Sequence, residues 1–158
     1  MAEQILTPTK ALAEKITGGD LQEDAGQLAT AQELDQLRAA IIERQSRGLL
    51  TKIIDRTKPV TGLYIHGGVG RGKTMLMDMF FASLPHGSGG PIGWRLHFHD
   101  FMVLAQDLIH ASREAGKADP IGEAATQLAS RGRVLCFDEM EVRDIADAMI
   151  VARLFTAI

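Results

Sequence analysis

The chain has 158 residues, the length of one ordinary domain. Hydrophobic residues make up 46% and charged residues 23%, which is typical of a globular protein with a buried core and excludes a disordered or collagen-like chain. Lys and Arg number 17 against 20 Asp and Glu, and this net charge of −3 argues against a dedicated nucleic-acid-binding protein. The single cysteine, Cys136, excludes an internal disulfide and a cysteine-rich zinc site, and it favours a reducing, cytoplasmic location.

No apolar stretch approaches the length of a membrane span, which is about 20 residues. The first residues carry an early acid and no apolar segment, so they do not indicate a secretory signal. We therefore expect neither a membrane-spanning helix nor export.

A helical N-terminal region is predicted for residues 1–58. The first helix begins after Thr7–Pro8, an N-cap followed by a proline at the first helical position, and stops at Gly18–Gly19. A second, amphipathic helix starts at Asp24, with Gln27 placed as the partner in a capping box.

Beyond residue 59 the pattern predicts strands that alternate with helices, bounded by Gly and Pro. The predicted strands are Leu63–Ile65, which we expect to be buried, Trp94–His99 and Val134–Phe137. The predicted helices are Met75–Leu84, Phe101–Glu114, Gly122–Ala129 and Ile145–Ile158.

Residues 67–74 match the phosphate-binding pattern G-x-x-x-x-G-K-[ST] in full. Glycines let successive backbone N–H groups turn towards phosphate oxygens, Lys73 would place an ammonium group against the β- and γ-phosphates, and Thr74 would ligate Mg²⁺. A chance glycine-rich turn is the alternative, but the predicted strand before the motif and helix after it favour nucleotide binding. The candidate ATP-binding residues are Gly67, Gly68, Val69, Gly70, Arg71, Gly72, Lys73 and Thr74.

Two adjacent acids follow the predicted strand Val134–Phe137. Asp138 is a candidate Mg²⁺ ligand, and Glu139 could orient and deprotonate an attacking water. The alternative is that the acids begin a solvated turn or the first turn of a helix. Compared with known phosphate-loop kinases, which generally lack the second acid, the pair favours ATP hydrolysis, with Lys73 and Glu139 as catalytic residues.

His97 and His99 are two positions apart, so on a strand they would lie on the same face and could form a metal-binding pair. A structural zinc site would require more ligands than the neighbouring sequence offers, so an ordinary strand is favoured. Arg71 belongs to the loop, and a solvated position or a subunit contact is favoured over an arginine finger.

Four runs of sequence, together with Gly19–Leu37, resemble the AFG-one-like, or ZapE-type, ATPases of the AAA+ class. The runs are residues 62–74, 96–102, 135–139 and 142–149. The resemblance implies an α/β fold, a P-loop NTPase of the AAA+/ASCE type whose parallel sheet is flanked by helices and is incomplete at the C-terminus. In it, residues 59–158 form the first part of the ATPase core, and one further strand separates the strand before Asp138 from the strand before the phosphate loop.

The same resemblance implies Mg²⁺-dependent ATP hydrolysis, a cytoplasmic cell-division role or a protease-linked one, protein partners and an oligomer. It assigns the phosphate-binding role to Lys73, the metal to Thr74 and Asp138, and water activation to Glu139. The family's sensor strand and arginine finger would lie downstream of residue 158, so we expect ATP binding with slow or absent turnover. A truncated, non-catalytic nucleotide-binding interaction module is the alternative, as is a helicase-loader-like ATPase, which the net charge disfavours.

Overall fold

The computed structural model describes residues 5–46, 60–87, 90–142 and 144–157. The chain divides into two compact units, Met1–Pro85 and His86–Ile158. The predicted boundary between residues 58 and 59, and the prediction of helix over residues 47–58, lie outside the described residues.

Six helices and four short strands occur among the described residues. The helices are α1 Pro8–Thr17, α2 Ala25–Ser46, α3 Lys73–Ser83, α4 Phe98–Glu114, α5 Pro120–Ser130 and α6 Ile145–Ala157. The strands are β1 His86–Gly87, β2 Gly90–Pro91, β3 Gly93–His97 and β4 Val134–Asp138.

The first unit is built from α1, α2 and α3, which pack against one another. The start of α1 at Pro8 is confirmed, but Thr7 does not cap its own helix. Its hydroxyl instead donates to Asp35 Oδ2 at 3.1 Å, and Asp35 Oδ1 accepts from the backbone N–H of Thr9 at 3.2 Å, which joins α1 to α2. The buried apolar side chains among the described residues of this unit are Pro8, Leu12, Ala31, Leu34, Leu76, Met79, Phe80 and Leu84.

The second unit contains a parallel pair of strands, β3 and β4, in which Gly93 is opposite Val134 and His97 is opposite Asp138. Parallel neighbours require a long crossover connection, which α4 and α5 provide. β1 and β2 form a small antiparallel pair ahead of β3. The core of this unit is formed by Phe98, Phe101, Met102, Ala105, Ile109, Ala124, Ala125, Leu128, Val151 and Leu154.

The predicted buried strand at Leu63–Ile65 is wrong. Residues 60–68 form neither helix nor strand, and Leu63 and Tyr64 are 41% and 69% exposed. A run of three apolar residues becomes a buried strand only when neighbouring strands accept its backbone hydrogen bonds, and no strand pairs with this run in the part of the chain that the structure describes.

The strand predicted over Trp94–His99 ends earlier, at His97, because α4 begins at Phe98. Alternation suggested that the strand continues, but the apolar side chains from Phe98 onward recur at helical spacing and enter the core. The helices predicted around residues 75–84, 101–114, 122–129 and 145–158 are confirmed over the described residues, with boundaries shifted by a few residues.

The parallel α/β character is therefore present, and the complete sheet of a P-loop NTPase stays a prediction. Among the described residues, every helix is too short or too polar to span a membrane.

Candidate nucleotide-binding site

The phosphate-loop motif lies between the exposed segment 60–66 and the first turn of α3. Gly70 and Gly72 have φ angles of +76° and +79°, left-handed conformations that side chains other than glycine rarely adopt. Gly72 is the N-cap of α3, so Lys73 and Thr74 occupy the helix N-terminus. The free backbone N–H groups and the helix dipole at such an end favour an anion.

The Lys73 ammonium group folds back over the loop. Its Nζ donates to the backbone oxygen of Gly67 at 2.9 Å and to that of Gly68 at 2.8 Å. An ammonium group has three N–H donors, so these bonds leave capacity for an anionic oxygen in the same place. This donor set fits a polyphosphate, and the adjacent Thr74 hydroxyl is the hard oxygen ligand that Mg²⁺ prefers.

The start of α2 also contacts the loop through Arg71, and neither the spacing nor the composition of the sequence indicated this contact. Arg71 Nη2 donates to Asp24 Oδ2 at 3.0 Å, and Gln27 Nε2 donates to the backbone oxygen of Arg71 at 3.2 Å. Asp24 caps α2 as predicted, but Gln27 does not return the bond of a capping box, because its Oε1 has no partner among the described residues. The capping pattern assigned Gln27 to its own helix, and the family resemblance suggested that Gln27 and its neighbours approach the adenine base, which is a different contact from the one with Arg71.

Asp138 is the last residue of β4, at the carboxyl end of a parallel pair, where ligand sites of α/β proteins occur. Arg95 Nη2, on β3, donates to Asp138 Oδ2 at 2.8 Å. Both side chains line an open pocket of about 360 Å³. The other residues lining this pocket are Leu96, His97 and Asp100.

Glu139 has a φ angle of +52° and is the one non-glycine residue with positive φ among the described residues. Glu139 directly follows β4, and its side chain is exposed. A left-handed backbone conformation is unfavourable for Glu, which has a Cβ atom. Such outliers concentrate at functional sites, so this backbone is consistent with a special role for Glu139.

The two histidines do not alternate along a strand. His97 ends β3, whereas His99 lies in the first turn of α4, so the geometric basis for a paired metal site on one strand face is wrong. In the described ranges, no three His, Cys, Asp or Glu side chains cluster in a way that could hold a metal ion. A Mg²⁺ ion that is held mainly by phosphates and water requires only one or two protein ligands, so a single oxygen donor such as the Thr74 hydroxyl is chemically suitable, and so, taken by itself, is the Asp138 carboxylate.

Lys73 and Thr74 belong to the first unit, and Asp138 and Glu139 to the second. A glycine loop that enters a helix, and a strand that ends in an acid directly followed by a second acid, are the two features that characterise P-loop nucleotide-binding proteins as a class. The sequence profile of the AFG1-like ATPase family matches residues 6–158, and the chain belongs to this family.

The chain is 36% identical to the cell division protein ZapE of Escherichia coli K12 over 168 aligned positions, which cover 98% of the chain and 43% of ZapE. It is 42% identical to lactation elevated protein 1 homolog B of Danio rerio over 106 positions, covering 61% of the chain and 20% of the zebrafish protein. The chain thus spans less than half the length of the curated relatives it matches. No solved structure matches it.

Proposed function

We propose that the chain is the nucleotide-binding part of a Mg²⁺-dependent ATPase and binds ATP through residues 67–74. The observation that carries the proposal is the position of Lys73, whose Nζ lies over the loop within 2.9 Å of the Gly67 and Gly68 oxygens at the N-terminus of α3. Membership of the AFG1-like ATPase family supports the choice of ATP.

The backbone of the loop, the Lys73 ammonium group and the Thr74 hydroxyl have different parts in binding. The backbone N–H groups of residues 67–74 would donate to phosphate oxygens, and Lys73 would exchange its backbone acceptors for the more negative β- and γ-oxygens. Thr74 would supply a hydroxyl ligand to the metal. When bound there, Mg²⁺ would supply positive charge that offsets the charge of the phosphates.

In the whole protein, Asp138 would be a ligand of the metal and Glu139 would accept a proton. Glu139 is exposed, beside the end of β4, and so can reach a water molecule. Its carboxylate would orient that water and accept its proton. A cell-division role with protein partners, oligomerisation and a cytoplasmic location are further parts of the proposal, supported by the similarity to ZapE and by the single cysteine.

Isothermal titration calorimetry with Mg²⁺ and ATP tests whether the chain binds ATP through this loop. Lys73→Ala should weaken ATP binding about tenfold or more, because a hydrogen bond to a charged group contributes roughly 1.5–3 kcal/mol. Lys10→Ala, which removes an exposed lysine from α1, is the matched control and should bind like the unchanged chain. Equal affinities for the unchanged chain and Lys73→Ala would contradict the proposal.

Turnover separates the ATPase from a non-catalytic nucleotide-binding module. If the Glu139→Gln substitution lowers the rate of phosphate release and leaves the affinity for ATP unchanged, the result supports hydrolysis. Because we expect slow or absent turnover from residues 1–158 alone, the assay uses the whole protein, and ATP binding without phosphate release there supports the binding module instead.

A further inference from the structure

The first turn of α2 meets the phosphate loop at its Arg71–Gly72 end. The two polar contacts join residues that are 47 and 44 positions apart in the sequence, Asp24 with Arg71 and Gln27 with the backbone oxygen of Arg71. All of these residues lie in the first unit. The Asp24 side chain therefore binds the guanidinium group of Arg71, and the Gln27 side chain binds the main chain of the same residue.

Asp24 divides its two oxygens between two tasks. Oδ1 accepts from the backbone N–H groups of Gly26 at 2.8 Å and Gln27 at 3.1 Å, which caps α2, while Oδ2 accepts from Arg71. The backbone hydrogen bonds from Gln27 and Gly26, with a smaller contribution from the Arg71 charge, lower the pKa of Asp24 below its ordinary value. The carboxylate is thus ionised at neutral pH and suited to a guanidinium partner.

Gln27 fills a space that exists because residue 72 is glycine. A Cβ atom at Gly72 would lie 3.0 Å from Gln27 Nε2 and 3.3 Å from the methyl carbon of Met75. Gln27 Oε1 is buried and lacks a hydrogen-bond partner among the described residues, which is an unfavourable arrangement for an amide. The orientation of the amide that lets Nε2 donate to Arg71 thus leaves Oε1 without a partner among the described residues, which is unfavourable. Capping of α2 does not require this orientation.

We propose that Asp24 and Gln27 are positioning residues for the phosphate loop. They hold its Arg71–Gly72 end in place before nucleotide arrives, so that the N–H groups at the start of α3 and the Lys73 ammonium group are already placed for a triphosphate. Preorganisation of this kind raises affinity because less conformational freedom is lost on binding. The inference rests on the proposed function, since it concerns the same loop.

Two substitutions remove the contacts and spare the helix. Asp24→Asn keeps an oxygen for capping, because Asn is as good an N-cap as Asp, and loses the charge that faces Arg71. Gln27→Met keeps the length of the side chain and loses its donor. Glu33→Gln and Gln32→Met make the same chemical changes at exposed positions of α2 and are the matched controls.

The measurements are Mg²⁺·ATP affinity by calorimetry and, without nucleotide, hydrogen exchange of the Leu76 amide, which donates to the backbone oxygen of Gly72 at the end of the loop at 3.0 Å. We expect Asp24→Asn and Gln27→Met to weaken affinity about three- to tenfold, the loss expected for one partly exposed polar contact, and to speed exchange of this amide. The controls should change neither quantity. Asp24→Asn combined with Arg71→Ala should weaken binding less than the product of the two separate effects.

Unchanged ATP affinity in both variants, with Lys73→Ala still defective, would overturn this inference and leave the proposed function standing. A lower melting temperature with unchanged affinity would likewise show that the contacts only stabilise the fold. An unchanged chain that does not bind ATP at all would overturn the proposed function, and this inference with it.

Discussion

Arg95 and Asp138 are joined diagonally across two parallel strands. His97 is the residue opposite Asp138 in the register, yet Arg95, two positions earlier on β3, places Nη2 2.8 Å from Asp138 Oδ2. The side chains are 30% and 14% exposed, so the pair is partly shielded from water. The guanidinium group therefore holds the carboxylate that the sequence pattern singled out as a metal ligand.

A double-mutant cycle should show that this pair stabilises the second unit. Arg95→Met and Asp138→Asn should each lower the free energy of unfolding, with an interaction energy of about 1 kcal/mol, because partly buried pairs are screened less than exposed ones. The control pair is Lys117 and Glu123, whose Nζ and Oε2 atoms lie 3.9 Å apart. Their side chains are 52% and 47% exposed. Chemical denaturation measures both cycles, and equal interaction energies would contradict the prediction.

Phe101 should be among the most sensitive positions of the second unit. It is fully buried, and its ring centroid lies 4.7 Å from that of Phe137 in an edge-to-face arrangement. Phe101→Ala should lower the free energy of unfolding by about 3–5 kcal/mol, and Phe101→Leu by less, since it leaves a smaller cavity. Val103→Ala, at an exposed position of the same helix, should change it by less than about 0.5 kcal/mol. A mild effect of Phe101→Ala would mean that the core relaxes around the cavity.

Replacement of Glu139 by Asn should stabilise the protein while it removes the candidate base. Asn adopts left-handed backbone conformations more readily than Glu, so Glu139→Asn should raise the free energy of unfolding by about 0.5–1 kcal/mol. Glu141→Asn, at a position where φ is not positive, should give no gain. Thermal unfolding at neutral pH checks both variants, and a loss of stability in Glu139→Asn would show that the carboxylate makes a compensating contact.

Cys136 should react slowly with thiol reagents in the folded protein. Burial raises the pKa of its thiol from 9.0 to about 11, partly opposed by the Arg95 charge. At pH 8 the folded chain then holds about a hundredfold less thiolate than an ordinary thiol would. Labelling with a disulfide reagent should be slow in buffer and fast in denaturant, and equal rates would refute the prediction.

The same pKa shift has a consequence for stability. Because the folded pKa lies above the unfolded one, the thiol's contribution is fully present below pH 9 and is lost as the pH rises towards about 11. In a Cys136→Ala variant, the free energy of unfolding should lack this decline at alkaline pH. A Cys136→Ser variant also cannot ionise in this range, and its stability shows whether a polar side chain is tolerated at this position.

Helices with strong local signals were predictable. α5 follows Asp119 and Pro120, and Asp119 Oδ1 accepts from the backbone N–H of Gly122 at 3.1 Å, so the stretch Asp119–Gly122 contains its own start signal. α3 ends at Ser83, and Leu84 is extended because the residue before Pro85 is kept out of the helical region. The strand expected at Leu63–Ile65 failed because strands depend on partners elsewhere in the chain.

The glycine loop, the acids after β4 and the family could all be inferred from residues that lie next to one another, because backbone conformation and motif chemistry are local properties. The contacts of Gln27 and Asp24 with Arg71, and of Arg95 with Asp138, could not. They join residues more than 40 positions apart, and such a contact exists only when packing brings two helices or two strands to a particular register. The sequence therefore identifies the groups that could bind a nucleotide, and the folded chain specifies which neighbours hold those groups in place.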